Sequence, residues 1–184
     1  PVVNLLMKAG DVNILKLLRS MMGMSASPAS TLLFLEAGAI NDTSANALLP
    51  SPILQSYTYG IDTVSPMLLF AALDLNTGNL TLSFSEPVLA YTVNVTKMTI
   101  WSGVSGYVNY TLTSSNHSLS ADWLFVSIPI SDYDLNAIKA IPNLATNNLT
   151  SYISITPDFV SDTFFNKVVP IYPPNKRVDL YVKD

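Results

Sequence analysis

The chain has 184 residues, no cysteine and a net charge of −4, and its basic residues are scattered singly except for the pair Lys176-Arg177. These features exclude disulfides, thiolate metal sites and the basic surface that binding to a nucleic-acid backbone requires. Apolar residues make up 49% of the chain and charged residues only 12%, a composition that favours a folded core with further surface covered by assembly, by glycans or by both.

Residues 1–50 are interpreted as an incomplete domain with the end of a strand at Val2–Met7, one helix and one strong strand. Apolar residues at helical spacing predict a helix over Asp11–Met21, and the apolar run Thr31–Leu35 predicts a strand. Charged residues such as Lys16 and Glu36 interrupt both segments, so neither offers the roughly 20 apolar residues that a membrane span needs. We therefore expect no membrane span.

Residues 51–65 are predicted to be a linker, and residues 66–171 are interpreted as a complete, mostly β domain. The apolar run Pro66–Leu75, the turn at 76–78 and the alternating run Asn79–Ser85 predict a hairpin. Further strands are predicted at the spacing typical of a β-sandwich: Tyr91–Val95, Lys97–Trp101, Tyr107–Ser114, Trp123–Ile130 and Ser151–Thr156.

One helix is predicted inside this domain. Ser131 can cap its amino terminus, and Asp132 and Asp134 favour its first turn because they oppose the positive end of the helix dipole. Pro142 ends the helix, since proline cannot continue its hydrogen bonding. Residues 172–184 are predicted to form an extended connector or strand.

Two parts of the chain resemble each other at an offset of 120 to 123 residues. Asp11–Leu18 matches Asp134–Ile141, where 134 − 11 = 123. Asp42–Pro50 matches Asp162–Pro170, where 162 − 42 = 120. The order and spacing of these blocks predict that residues 1–50 are the second half of a diverged copy of the complete domain. The alternative is a coincidence between two unrelated segments.

Two motifs of the complete domain resemble a known family. Leu80–Val88 is similar to the strand and Ser-Glu-Pro-Val segment of bacterial Ig-like and SWM-type repeats, and Val160–Asn166 is similar to their closing Asp-x-x-Gly-Asn turn. The chain departs from that turn at Phe165, which precedes Asn166 in place of glycine.

The resemblance implies an Ig-like antiparallel β-sandwich, of the kind strung in tandem in large extracellular surface and fibre proteins. We therefore expect a mostly β fold in which one short helix is inserted into the sandwich and a half copy precedes it. The family implies an architecture rather than a chemistry.

Six Asn-x-Ser/Thr sequons predict covalent N-glycans: Asn41, Asn79, Asn94, Asn109, Asn116 and Asn148. The alternation of apolar and polar residues places Asn79 and Asn109 on the outer faces of their strands. Glycans would indicate an extracellular or cell-surface protein. The alternative is a surface rich in Asn, Ser and Thr that is never modified.

No residue pattern predicts a catalytic, cofactor or metal site. The single histidine, His117, lies in a sequon, where a Ser-His-Asp arrangement would depend on a loop. Neighbouring carboxylates are better explained by helix capping and by a turn than by glycosidase chemistry. Asp62 and Asp184 lie near junctions that Ca²⁺ could rigidify, but the acidic residues do not cluster in the sequence. We therefore expect that the protein is not an enzyme.

The expected function follows from the incomplete copy in residues 1–50. It would leave an apolar face and unpaired strand edges in water, where they invite pairing with another chain. We expect a structural subunit of an extracellular filament or cell-surface appendage, a self-associating homopolymer joined head to tail by β-strand complementation. The candidate assembly residues are Leu32, Leu33, Phe34, Leu35, Val178, Leu180 and Val182.

Three alternatives stay open. Residues 1–50 could pack on residues 66–171 of the same chain, or the chain could be a segment of a longer tandem array. A different class of function is a glycan- or protein-binding module of a surface adhesin, in which Trp101 and Trp123 would stack on sugars rather than pack between the sheets. Self-association without ligand would favour the filament, and glycan binding by a monomer would favour the adhesin.

Overall fold

The computed structural model describes residues 4–103 and 108–184. The chain divides into two compact units, Pro1–Asp62 and Thr63–Asp184. Strands outnumber helices in the described residues, which contain two α-helices. The prediction of a mostly β fold is therefore confirmed.

Helix α1 (Ala9–Met22) is the main element of the first unit. The helix predicted over Asp11–Met21 is thus confirmed, with slightly wider bounds. Gly23 ends it with φ 68° and donates its N–H to the Arg19 carbonyl at 2.9 Å. Glycine adopts this left-handed conformation without the steric cost that a Cβ atom would add.

The strand predicted over Val2–Met7 is wrong for residues 4–7, which form no strand, and its first two residues lie outside the described residues. Two short strands complete the first unit. Strand β1 (Leu32–Leu33) pairs antiparallel with strand β2 (Leu54–Gln55). β1 lies within the run that predicts a strand, whereas β2 lies within residues 51–65, which were predicted to be a linker. A two-residue strand with no strong β pattern gives too little signal for sequence reasoning.

The second unit contains two sheets. Its strands are β3 (Leu68–Asp74), β4 (Asn79–Phe84), β5 (Met98–Trp101), β6 (Asn109–Thr111), β7 (Ser118–Leu119), β8 (Phe125–Pro129), β9 (Tyr152–Ile155), β10 (Ile171–Arg177) and β11 (Leu180–Val182). One sheet has the order β10-β9-β5-β6 and the other has the order β11-β3-β4-β8-β7. Neighbouring strands pair antiparallel, except that β11 lies parallel to β3.

Both sheets contribute to one hydrophobic core. Alternate residues of β4 are buried, as the period of a strand requires. Alternate residues of β5 are buried as well, at Met98 and Ile100. The rings of Phe84 and Phe159 stack with their centroids 6.5 Å apart. The hairpin predicted at 66–85 is confirmed as β3 and β4.

Helix α2 (Asp132–Ala140) begins and ends as its sequence predicts. The Ser131 hydroxyl accepts a hydrogen bond from the Asp134 N–H at 3.2 Å, and the helix stops at Ile141, before Pro142. The Asp134 carboxylate does not return to Ser131 to complete a capping box, because its oxygens bind groups elsewhere in the unit.

The strand predicted over Tyr91–Val95 is wrong. This segment contains the 3₁₀ turns Ala90–Thr92 and Val95–Lys97. The Thr92 hydroxyl donates to the Leu89 carbonyl at 2.7 Å, and the Asn94 side chain accepts from the Thr96 N–H at 3.1 Å. Such local bonds compete with a strand ladder for the same backbone.

The remaining strand predictions are met with shorter bounds by β5, β6, β8 and β9. Tyr107, the first residue of the strand predicted over Tyr107–Ser114, lies outside the described residues. Residues 172–184 are extended, since they contain most of β10 and all of β11, which join different sheets.

Candidate assembly interface

The surface of the first unit is unusually apolar. None of its described residues, 4–62, is buried. Leu6 is 99% exposed, Leu32 58% and Phe34 53%. Further exposed apolar residues are Leu5, Met7, Ile14, Met21, Met22, Met24, Leu33, Leu49, Ile53, Leu54 and Ile61. Burying one such side chain stabilises a protein by about 1.5–3 kcal/mol, so covering this surface is strongly favoured.

Part of this surface forms a groove of about 710 Å³. We call it the apolar groove, and its principal lining residues are Met7, Leu15, Met24, Leu32, Leu33 and Leu54. Helix α1 contributes Leu15, and both strands of the first unit contribute leucines. A preformed apolar groove beside a strand can receive the side chains of an added polypeptide.

Strand β1 has one unpaired edge within the described residues. In residues 4–103 and 108–184 it pairs only with β2, and the sheet has no third strand there. On the paired side, the Ser51 N–H donates to the Leu35 carbonyl at 2.9 Å and the Ser56 N–H donates to the Thr31 carbonyl at 2.9 Å. The opposite edge of β1 leaves backbone groups available to another strand.

Asp42 and Asp162 organise two loops by the same hydrogen bonds. In each loop, Oδ1 accepts from the N–H groups two and four residues later, at 2.8 Å in all four cases. Oδ2 accepts from the amide nitrogen of Asn46 at 2.9 Å and of Asn166 at 2.8 Å, respectively. The two loops thus have one hydrogen-bond pattern, although Asp42 is exposed and Asp162 is buried.

Each unit also contains an equivalent hydrogen bond from a tyrosine hydroxyl to a backbone carbonyl. The Tyr59 hydroxyl donates to the Ser25 carbonyl at 2.7 Å, and the Tyr181 hydroxyl donates to the Ala145 carbonyl at 2.6 Å. Ser25 and Ala145 both have positive φ, at 53° and 48°. Non-glycine residues adopt this conformation infrequently, so the agreement concerns an unusual backbone geometry.

Each unit contains an equivalent ion pair between its α-helix and an aspartate at the end of the unit. Lys16 of α1 lies 2.7 Å from an Asp62 oxygen, and Lys139 of α2 lies 2.9 Å from an Asp184 oxygen. The offsets, 139 − 16 = 123 and 184 − 62 = 122, are those of the sequence match. Each pair joins a helix to the last acidic residue of its unit.

The candidate assembly residues lie in different environments. In the first unit, Leu33 and its neighbours Leu32 and Phe34 are exposed, and Leu35 is half-buried. Leu180 and Val182 are exposed on β11, which is an edge strand of its sheet. Val178 is different: it is only 1% exposed and belongs to the core of the second unit. Because its side chain is already buried within its own chain, we remove Val178 from the candidate surface.

Most of the glycosylation candidates have accessible side chains. Exposed acceptors are Asn41, Asn94, Asn109, Asn116 and Asn148. Asn79 is half-buried, its Nδ2 donates to Thr81 Oγ1 at 3.2 Å, and its Oδ1 accepts from the Ser127 hydroxyl at 3.0 Å. A glycosyl transfer at Asn79 would have to break these contacts.

The histidine and tryptophans take part in local contacts. His117 Nε2 donates to the Ala90 carbonyl at 2.7 Å. Trp101 and Trp123 are half-buried, and the indole N–H of Trp101 donates to the Ser154 hydroxyl at 2.8 Å. These contacts hold the side chains of His117 and Trp101 within their own unit.

One pair of carboxylates was missed by sequence reasoning. Glu86 and Asp162 are both buried, and oxygens of the two lie within 4.8 Å of each other. They are 76 residues apart (162 − 86 = 76), and the bridge between Val88 and Asp162 brings them together. The acidic residues therefore do approach each other here. We assign no metal to the pair, because Ca²⁺ takes about 6–8 oxygen ligands.

No protein-family model, curated protein or solved structure matches this chain. In the part of the chain that the structure describes, neither helix is long and apolar enough to cross a membrane.

Proposed function

We propose that the chain is a structural component of an extracellular, N-glycosylated filament or cell-surface appendage, in which neighbouring subunits join head to tail by β-strand complementation. One observation carries the proposal: the first unit has no buried residue in 4–62, a groove of about 710 Å³ and an unpaired edge at β1. A unit of this kind gains its core only when a further polypeptide segment covers it.

In this proposal, residues 1–62 are a second copy of the latter half of the second unit, and the complete unit is an Ig-like sandwich. The matched loops of Asp42 and Asp162, the matched tyrosine contacts and the matched ion pairs support the copy. The single core that both sheets share supports the sandwich. Several independent matches at nearly one offset favour duplication over coincidence.

The contact would propagate because its two sides differ. The acceptor side is the apolar groove and the edge of β1, whereas the donor side belongs to another copy of the same repeat. A contact between unlike surfaces is heterologous, and it builds a fibre unless the rotation between subunits closes a ring. Glycans on exposed asparagines would cover outer surfaces that carry little charge.

Electron microscopy of the native material, with intact mass measured on the same sample, tests this function. Regular filaments with a mass above that of the 20.0 kDa chain would support a glycosylated fibre subunit. Discrete particles at the bare mass would contradict it.

In recombinant material, Leu33→Lys should reduce association measured by light scattering, because it places a charge in the groove. Leu149→Lys is the matched control, since Leu149 is exposed in the second unit.

A glycan-binding adhesin module is the second candidate, and one depression favours it. Its volume is about 490 Å³, and its polar lining residues are Ser114, Ser115, Asn116, Ser131 and Asp132. Hydroxyl, amide and carboxylate groups can bind sugar hydroxyls. A glycan attached to Asn116 would occupy the same space, so the two functions compete at this site. Glycan-array binding by the unglycosylated monomer, lost in Ser131→Arg, would favour the adhesin.

A further inference from the structure

The buried carboxylate of Asp134 indicates what the first unit lacks. Asp134 is the third residue of α2, and it accepts hydrogen bonds from the Tyr110 hydroxyl at 2.8 Å and the Thr113 hydroxyl at 2.7 Å. One turn later, Ile138 is fully buried in the core. Tyr110 and Thr113 belong to the part of the unit that comes before α2, so that part both covers the helix and binds its carboxylate.

Helix α1 presents the same arrangement without its cover. Asp11 is the third residue of α1, as Asp134 is of α2, and Asp11 is exposed. Leu15 follows one turn later, as Ile138 does in α2, and it lines the apolar groove. Residues four apart lie on one helix face, so the carboxylate of Asp11 and the side chain of Leu15 face the same side of α1.

The strand edges are related in the same way. In the second unit, β5 pairs antiparallel with β9 and places Ile100 opposite Ile153 and Met98 opposite Ile155. At the offset of 120, Leu33 and Leu35 take the places of Ile153 and Ile155 (33 + 120 = 153 and 35 + 120 = 155). The unpaired edge of β1 therefore corresponds to the edge of β9 that β5 occupies.

We infer that the apolar groove, the unpaired edge of β1 and Asp11 together form the docking site for a polypeptide segment with the chemistry of residues 63–123. One strand of this segment pairs with β1 as β5 pairs with β9. Its apolar residues fill the groove, and a tyrosine and a threonine donate hydrogen bonds to Asp11. The inference rests on the proposed function, because it specifies the donor for the same surface.

Two considerations decide in favour of this occupant. A carboxylate beside an apolar groove opposes a lipid chain, which could not compensate its desolvation, whereas hydroxyl donors on a strand can. Simple contact between the edges of complete sheets would pair β1 but leave the groove unfilled. Residues 63–123 already cover the second unit, so the docking segment is a further copy of the repeat, distinct from residues 63–123 of this sequence.

A fused chain tests the inference without requiring assembly. At the offset of 123, Pro1 takes the place of residue 124 (1 + 123 = 124), so a second copy of residues 63–123 is joined directly before Pro1 of the full chain. Docking of the added segment should slow amide hydrogen exchange over residues 32–35 by at least about tenfold. Binding of a hydrophobic dye should fall, because the groove is no longer accessible.

Asp11→Asn should restore faster exchange over residues 32–35 in the fused chain and leave exchange in the unfused chain unchanged. Replacing the tyrosine and threonine of the added copy by phenylalanine and valine, at the places of Tyr110 and Thr113, should have the same effect as Asp11→Asn. A fused segment of scrambled sequence is the control for added length.

Exchange and dye binding equal to those of the unfused chain would overturn the inference, and so would full protection that Asp11→Asn leaves intact. Neither result depends on filaments. Absence of filaments in the native material would instead count against the proposed function, so the two failures are distinguishable.

Discussion

The Tyr110 hydroxyl donates a 2.8 Å hydrogen bond to the buried carboxylate of Asp134. The same carboxylate accepts from the hydroxyl and the N–H of Thr113, at 2.7 and 3.1 Å. Burial raises the pKa of Asp134, but the hydrogen bonds from Thr113 and Tyr110 outweigh burial and hold the pKa below its usual value. Helix α2 is thus attached to the residues around β6 through a charged, fully bonded carboxylate.

Asp134→Asn should reduce the free energy of unfolding of the second unit by about 2–3 kcal/mol, because the charged acceptor of several hydrogen bonds is lost. Urea unfolding at neutral pH measures this change. Since the folded pKa of Asp134 is depressed, its contribution is present above the unfolded pKa, about 3.9, and is lost as the pH falls through the folded value. Asp132→Asn is the control, because Asp132 is exposed; equal effects of the two variants would contradict the role of Asp134.

Titration of the Tyr110 hydroxyl should also lower the free energy of unfolding at alkaline pH. Burial, and then the hydrogen bond and charge of Asp134, raise the pKa of Tyr110 to about 12. A raised folded pKa stabilises the protein below the unfolded pKa, about 10, and this stabilisation is lost as the pH rises from there through the folded value. We expect a loss of about 1–2 kcal/mol over this window, allowing for partial solvent screening.

Lysines titrate in the same pH range as Tyr110. Comparison of the wild type with Tyr110→Phe therefore isolates the contribution of Tyr110 to the free energy of unfolding. The difference in unfolding free energy between wild type and Tyr110→Phe should shrink as the pH rises towards 12. A difference that stays constant would show that Tyr110 titrates alike in the folded and unfolded states.

The matched loops predict unequal effects of equivalent substitutions. Asp162 is buried and accepts three hydrogen bonds within its loop, so Asp162→Ala should destabilise the second unit by about 2–3 kcal/mol. Asp42 makes the same bonds in an exposed loop, where water can replace them. Asp42→Ala should therefore leave the thermal unfolding of the second unit unchanged. Calorimetry of both variants checks the contrast, and similar shifts would contradict it.

Local signals in the sequence were sufficient for the elements that neighbouring residues determine. The alternation along β4 and the serine cap of α2 both depend on residues a few positions apart, and both predictions hold. The same reasoning failed over Tyr91–Val95, where bonds from Thr92 and Asn94 to nearby backbone favour 3₁₀ turns. A β-like composition does not reveal such competition.

The contacts that matter for the candidate interface are not local. Thr113 and Asp134 are 21 residues apart, and only the folded unit shows that they bind each other. The sequence match between Asp11 and Asp134 does not reveal this contact, because a favourable position at the positive end of the helix dipole accounts for both residues. The burial of Val178 likewise depends on the sheet pairing around it, which neighbouring residues in the sequence do not reveal.

Glycan occupancy should differ among the sequons when the chain is expressed in a secretory eukaryotic host. Asn109 is exposed on an edge strand, so we expect it to be modified. Asn79 is half-buried and bonded to Thr81 and Ser127, so we expect little or no modification there. Glycopeptide mass spectrometry gives the occupancy of each site. Occupancy at Asn79 equal to that at Asn109 would show that modification precedes folding of this strand.

Replacing Phe165 by glycine should stabilise the turn in which it lies. Phe165 has φ 66°, a left-handed conformation in which Cβ approaches the backbone, and the residue is 64% exposed. Glycine relieves a strain of about 1–2 kcal/mol but costs entropy in the unfolded chain. Phe165→Gly should therefore stabilise the second unit by a net amount of about 0.5–1 kcal/mol, measured by urea unfolding. Phe165→Ala removes the ring but keeps the strain, so it separates the two contributions. If alanine stabilises the unit as much as glycine does, the ring rather than the backbone conformation is the source of the strain.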